Sequence, residues 1–121
     1  MLFAVERTTV AGRPGLTVRG DLDIATAPQF GQAVDGLLEA GLDGVVVDLT
    51  PTTFLDSSGA RELMRIARKA AAVDVGLHVV APRSNGPVRL TIDLLDLGQV
   101  VPIVTALSEI PTGIAGQDAG T

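Results

Sequence analysis

Asp56-Ser57-Ser58-Gly59 places a carboxylate, two adjacent hydroxyls and a glycine just past an aliphatic run, where a helix must begin. Backbone N–H groups in a first helical turn lack partners and carry the positive end of the helix dipole. A phosphate ester formed there is tolerated electrostatically and need not unfold the domain. The same residues also suit a purely architectural part, with Asp56 or Ser57 capping the helix and Gly59 allowing close packing. A second acidic group, Gly20-Asp21-Leu22-Asp23, precedes another helix. Loops that follow adjacent strands gather on one sheet edge, which draws Asp21, Asp23, Asp48 and Asp56 towards a common rim. Solvated loop acids are favoured there over a Mg2+ site.

Other chemistries fail on their requirements. His78, in Leu77-His78-Val79-Val80, lies mid-strand and reads as a half-buried structural residue rather than a general base. A hydrolase using Ser57 or Ser58 with His78 would need an orienting acid and an oxyanion hole, and no G-x-S-x-G elbow is present. Neither phosphate-binding glycine motif, G-x-x-x-x-G-K-[ST] or G-x-G-x-x-G, occurs. Asp48 ends an inner strand as the phosphoacceptor of a receiver domain does. No acidic pair follows the first strand, however, and the one lysine, Lys69, belongs to an outer helix face. The expectation is a non-enzymatic protein with no catalytic residue, cofactor or metal.

Alternating strand and helix patterns position these loops. Phe3 to Val10 reads as a strand, the turn residues Gly12-Arg13-Pro14-Gly15 follow, and Leu16 to Arg19 reads as its hairpin partner. Gly20 to Ile24 then leaves the sheet. A first helix begins near Thr26, a candidate N-cap, with Pro28 in its first turn and Phe30, Val34, Leu37 and Leu38 on one stripe. Val45 to Leu49 is a short apolar run suited to a strand covered on both faces, stopped by Pro51 and two threonines. A second helix runs from about Ser57 to Val73, with Leu63, Ile66, Ala67, Ala70 and Val73 inward and the stripe Arg61, Arg65, Arg68 and Lys69 in solvent. Leu77 to Ala81 is a buried strand, Val88 to Leu97 a third helix, and Val100 to Val104 a last strand, with a short helix over Thr105 to Ile110. Such alternation implies an α/β layer structure: a mixed, mostly parallel sheet of about five strands, with an N-terminal β-hairpin and helices packed on it. One domain is expected over 1–112, with a flexible tail over 113–121.

Composition narrows the partners. The 121 residues are 46% hydrophobic and 19% charged, enough apolar mass for one real core. Aromatic residues are 2%, so that core is aliphatic and stacking on bases is nearly unavailable. Nine Lys+Arg against fourteen Asp+Glu give a net charge of −5, which argues against nucleic acid or an anionic membrane surface. Zero cysteines exclude disulfides, thiolate zinc sites and cysteine nucleophiles. The N-terminus does not read as a secretory signal and no apolar run approaches the ~20 residues of a membrane span, so a cytoplasmic location is expected.

Asp48-Leu-Thr-Pro-Thr-Thr-Phe-Leu-Asp-Ser-Ser-Gly59 resembles the STAS domain of bacterial anti-sigma-factor antagonists, in which an aliphatic strand and short loop lead to D-S-S-G or D-S-T-G opening a helix. Gly20-Asp-Leu-Asp-Ile-Ala-Thr26 is similar to the family's G-E-L-D-x-x-T. Leu94-Leu-Asp-Leu-Gly98 with Val101-Pro-Ile103 is similar to its leucine-glycine-leucine turn before the last strand. The resemblance implies a partner switch. The unphosphorylated antagonist binds an anti-sigma factor that is a serine kinase, a sigma factor is released, the kinase phosphorylates the serine and a phosphatase reverses this. By the same resemblance Ser58 is the phosphoacceptor with Ser57 as the alternative, and Asp23, Thr26, Asp56, Ser57, Ser58, Gly59 and Arg61 are candidate partner-binding residues. An accessory STAS subunit of a transporter, or a stress-signalling scaffold without a regulated serine, is the other implied role. After Gly59 the family prefers an apolar residue and a second glycine, whereas Ala60-Arg61-Glu62 stands here.

Overall fold

The computed structural model describes residues 2–111; the expected domain boundary at 112 and the tail over 113–121 lie outside the described residues. Strand β1 (Ala4–Val10) pairs antiparallel with β2 (Arg13–Leu22) through a two-residue turn. Both turn residues, Ala11 and Gly12, have positive φ, the conformation that matches the right-handed twist of a hairpin. The turn therefore sits earlier than the Gly12–Gly15 expected from the sequence. Pro14 falls inside β2, just before pairing with the next strand begins at Gly15, so its missing N–H breaks no bond on that side.

Helix α1 (Ala27–Leu38) follows, then β3 (Gly44–Asp48), β4 (Thr52–Leu55), helix α2 (Ser57–Ala72), β5 (Gly76–Val80), helix α3 (Gly86–Leu94) and β6 (Ile103–Val104). Single 3-10 turns cover Leu97–Gln99 and Leu107–Glu109. The main strand order is β1-β2-β3-β5-β6, parallel from β2 onward, with β4 pairing β2. The α/β sandwich and its opening hairpin are as expected, but the sheet has six strands rather than about five, and Gly20–Leu22 stays in it.

The extra strand comes from a break. β2 pairs β3 over Gly15–Thr17 and β4 over Gly20–Leu22, so β3 and β4 behave as one strand interrupted at Leu49–Pro51. The Thr52 hydroxyl, buried, donates to the Val18 carbonyl at 2.7 Å, and the Asn85 amide donates to the carbonyls of Leu49 and Thr52 at 3.2 and 2.8 Å. These bonds, with the Thr52 amide donating to the Leu49 carbonyl at 3.0 Å, engage backbone oxygens around the interruption.

The core is aliphatic on both sides of the sheet apart from Phe30. Leu16, Val18, Val45, Val47 and Val79 meet Phe30, Val34, Leu37, Leu63 and Ile66 from α1 and α2. On the reverse face a smaller cluster of Val10, Val46 and Val80 is covered by Ile110, and Arg13 Nε donates to the Pro111 carbonyl at 3.0 Å. Val73, expected inside, is 48% exposed because α2 ends at Ala72. The basic stripe of α2 is only partly solvated. Arg65 bonds Asp35 and Glu62, and Lys69 bonds Asp35 and Glu39, so the two residues fasten α2 to α1.

Candidate functional site

Leu22 and Leu55 are paired neighbours at the C-terminal ends of β2 and β4, so the two loops that follow emerge side by side. The Asp56 amide donates to the Leu22 carbonyl at 3.3 Å, tying the second loop to the first strand. Asp56 then caps α2: its Oδ1 accepts the amides of Ser58 at 2.8 Å and Gly59 at 3.0 Å. This is the architectural part expected of Asp56, and it takes up donors that a helix start would otherwise leave free. Ser57 occupies the first helical position and is exposed, while Ser58 is half-buried. Gly59 is fully covered. A Cβ built on it would lie 2.6 Å from the Leu22 carbonyl oxygen and 2.7 Å from Leu55 Cδ1, so a glycine is what lets α2 start against the sheet. Its part in the loop is to set the stance of the serines.

The first loop is closed on itself. Asp23 Oδ1 accepts the amides of Ala25 and Thr26 at 3.0 and 3.2 Å. The Thr26 hydroxyl accepts the Asp23 amide at 2.9 Å and donates to the Asp21 carbonyl at 2.7 Å. Thr26 is the residue before α1, but its side chain makes no cap bond to the helix, contrary to the N-cap expected from the sequence. Asp23 and Thr26 spend their hydrogen bonds on shaping the turn, and the side chain they push outward is Ile24, 76% exposed. Across from it, the Thr53 hydroxyl donates to Asp21 Oδ1 at 2.6 Å.

A third element completes the surroundings. The Thr91 hydroxyl of α3 donates to the Leu55 carbonyl at 2.6 Å, which seats α3 beside β4 immediately before the Asp56 cap. Leu90 and Leu94, one helical turn apart on α3, are exposed, as is Phe54 on β4. These outward apolar residues, with Ile24, were not singled out in the sequence. Their signal was present in Leu90 and Leu94 at i, i+4, yet a stripe on a short helix reads equally well as core.

Each of the four acids has a hydrogen-bond partner of its own. Asp21 bonds Thr53, Asp23 its own turn, Asp48 the amide and hydroxyl of Thr50, and Asp56 the start of α2. Among the described residues no group of three His, Cys, Asp or Glu side chains is placed to hold a metal ion. His78 alternates with Leu77 and Val79, which face the helices, and so lies on the reverse face of the sheet beside Val46, away from the serines. Its Nδ1 is buried without a hydrogen bond, and burial, aided by the charge of Arg13, holds its pKa below the usual imidazole value. A serine–histidine pair is not formed. Arg61, one turn into α2, is exposed.

Comparison with known proteins fits these two loops. A family model described as "Mlab, STAS domain" matches residues 6–105, most of the chain and both loops. The chain belongs to the STAS family. An anti-sigma factor antagonist from Mycobacterium paratuberculosis superposes on this STAS domain with a TM-score of 0.78 at 26% identity, over 89% of this chain and 90% of that one. The unphosphorylated form of the antagonist SpoIIAA superposes with a TM-score of 0.67 at 18% identity, over 99% and 98% of the two chains. The phosphorylated form of the Bacillus protein does so with a TM-score of 0.61 at 17% identity, over 89% and 96%. These last two show a shared fold. A search of curated proteins finds no match. Among the described residues no helix is long and apolar enough to cross a membrane.

Proposed function

We propose that this STAS domain is an anti-sigma factor antagonist that acts by binding and without catalysis. In this reading its unphosphorylated form binds a serine-kinase anti-sigma factor in the bacterial cytoplasm and so releases a sigma factor. Phosphorylation of Ser58, with Ser57 as the alternative acceptor, ends the binding, and a phosphoserine phosphatase restores it. The observation that carries the reading is the placement of two solvent-reaching hydroxyls on the first turn of a capped helix, beside the Asp23 loop. The likeness at 26% identity to an anti-sigma factor antagonist supports the role.

The physics of the loop agrees. The domain brings no machinery for phosphoryl transfer, which makes it the substrate of an enzyme that supplies its own Mg-ATP. A phosphoserine adds roughly −1.5 to −2 charge beside the Asp56 carboxylate. That charge would burden docking at a loop near which Ile24 is exposed, while the buried core beneath is untouched. A few kcal/mol is enough for a switch, since ~1.4 kcal/mol is tenfold in affinity.

The test is to mix the domain with each kinase-like anti-sigma factor encoded beside it, add ATP, and map the modified residue by mass spectrometry. One phosphate on Ser58, or on Ser57, is expected. No phosphate with any of these kinases removes the reading, and co-purification with membrane transport components would put a transporter accessory role in its place.

A further inference from the structure

We propose that Arg61 is a built-in counter-ion for the phosphoserine, drawing a phosphate on Ser58 along the outer face of α2; this rests on Ser58 being the modified residue. Three amides of the first helical turn, those of Ser58, Gly59 and Ala60, are already engaged. Asp56 Oδ1 accepts the Ser58 and Gly59 amides, and the Ala60 amide donates to the Asp56 carbonyl. A phosphate on Ser58 meets a carboxylate where those three N–H groups would otherwise face it, which leaves a side-chain cation as the stronger source of compensation.

Arg61 is that side chain by position and by availability. It follows Ser58 by three residues in one helix, a spacing that makes side chains surface neighbours, and it is exposed. The other cations near the helices are committed: Arg65 to Asp35 and Glu62, Lys69 to Asp35 and Glu39, and Arg89 to the Ala81 carbonyl and Asp93. Arg19 pairs with Glu6 and Arg13 with the Pro111 carbonyl, both on the hairpin. Arg7 lies on β1, Arg68 nearly three turns further along α2, and Arg83 near Glu109. Among the described residues, Arg61 is the cation within one helical turn of Ser58, and its guanidinium has no ion pair or hydrogen bond. Its planar guanidinium fork suits the oxygens of a phosphate dianion. The modified loop then presents a partner with a phosphate–arginine pair laid over α2, so the switch works through bulk and a reoriented Arg61 as well as through charge.

The experiment installs phosphoserine at position 58 during synthesis, with no kinase involved, and follows the phosphorus resonance against pH. A phosphoserine loses its second proton near pH 6. Arg61 favours the dianion, so the native chain should titrate about 0.4 unit below the Arg61→Gln variant, the size of an exposed helical ion pair. Arg68→Gln should titrate like the native chain, and the gap should narrow at high salt. Coincident curves for the native and Arg61→Gln chains overturn the proposal, as does an equal displacement by Arg68→Gln. Amide spectra showing α2 melted by the phosphate overturn it too. Coincident curves would leave Ser58 standing as the acceptor, whereas a failed kinase assay removes Ser58 without altering any titration.

Discussion

At the scale of single residues the Asp56–Gly59 loop is an arrangement of one cap, one missing side chain and two hydroxyls. The Asp56 carboxylate accepts two amides, and so holds the turn that presents both serines. Replacing it with Ala should cost about 1 kcal/mol of stability, the usual loss for an N-cap, whereas Asp56→Asn should recover most of it. Chemical denaturation of the three proteins reads this directly. Gly59→Ala should cost more, about 1–3 kcal/mol, because the new methyl meets the Leu22 carbonyl and the Leu55 side chain with no flexible group to give way. Ser58→Asp, by contrast, should weaken binding to the kinase partner while the melting temperature stays nearly constant. A large thermal loss there would mark Ser58 as architectural. Of these residues the D-S-S-G motif could be read in the sequence, since its types and order suffice. The inward use of Asp23 and Thr26 could not, because a carboxylate three residues before a threonine fits a contact surface as well as a closed turn. Only the backbone path shows that Ile24 is the side chain facing out.

At the scale of elements the molecule depends on pairings distant in sequence. The helices were readable from their apolar stripes, and α2 begins at the Ser57 that its motif marks. Strand β4 was not: four residues after Pro51 carry no periodicity, and the strand exists because the upper half of β2 needs a partner. The α1–α2 clamp was also hidden. A stripe of arginines looks solvated until Asp35 and Glu39 arrive from the neighbouring helix. Burial works against the Asp35 charge, yet Arg65 and Lys69 outweigh it and hold its pKa below the usual value. A carboxylate lowered in this way stabilises the fold above its unfolded pKa, and that contribution fades as acid carries the pH down through the folded value. The clamp is partly exposed, so Asp35→Asn should cost about 1 kcal/mol or less at low salt and less still at high salt. Melting curves at two ionic strengths give the comparison, and a loss independent of salt would contradict the electrostatic account.

For the whole molecule, the sheet separates two jobs. Its helix side carries α2 and the main apolar core, while the reverse side carries His78, the smaller apolar cluster and Ile110. Burial, and then the charge of Arg13, depresses the His78 pKa. Below the unfolded value near pH 6.5 the unfolded chain takes up the proton more readily than the folded one, so stability falls as the pH drops through that region. The native protein should thus melt at lower temperature at pH 5.5 than at 7.5, and His78→Gln should flatten that slope without changing phosphorylation. An unchanged slope would show that other groups set it. The fold class could be read from alternating patterns alone, but which face each strand residue takes followed only from register. One more property comes with β2. The ten residues of β2 put the Ala11–Gly12 bend at the far end of the strand from Leu22. A body clasping the hairpin would leave the opposite pole free, so this small domain has the reach to be tethered in a larger assembly and queried by a second visitor at the same time.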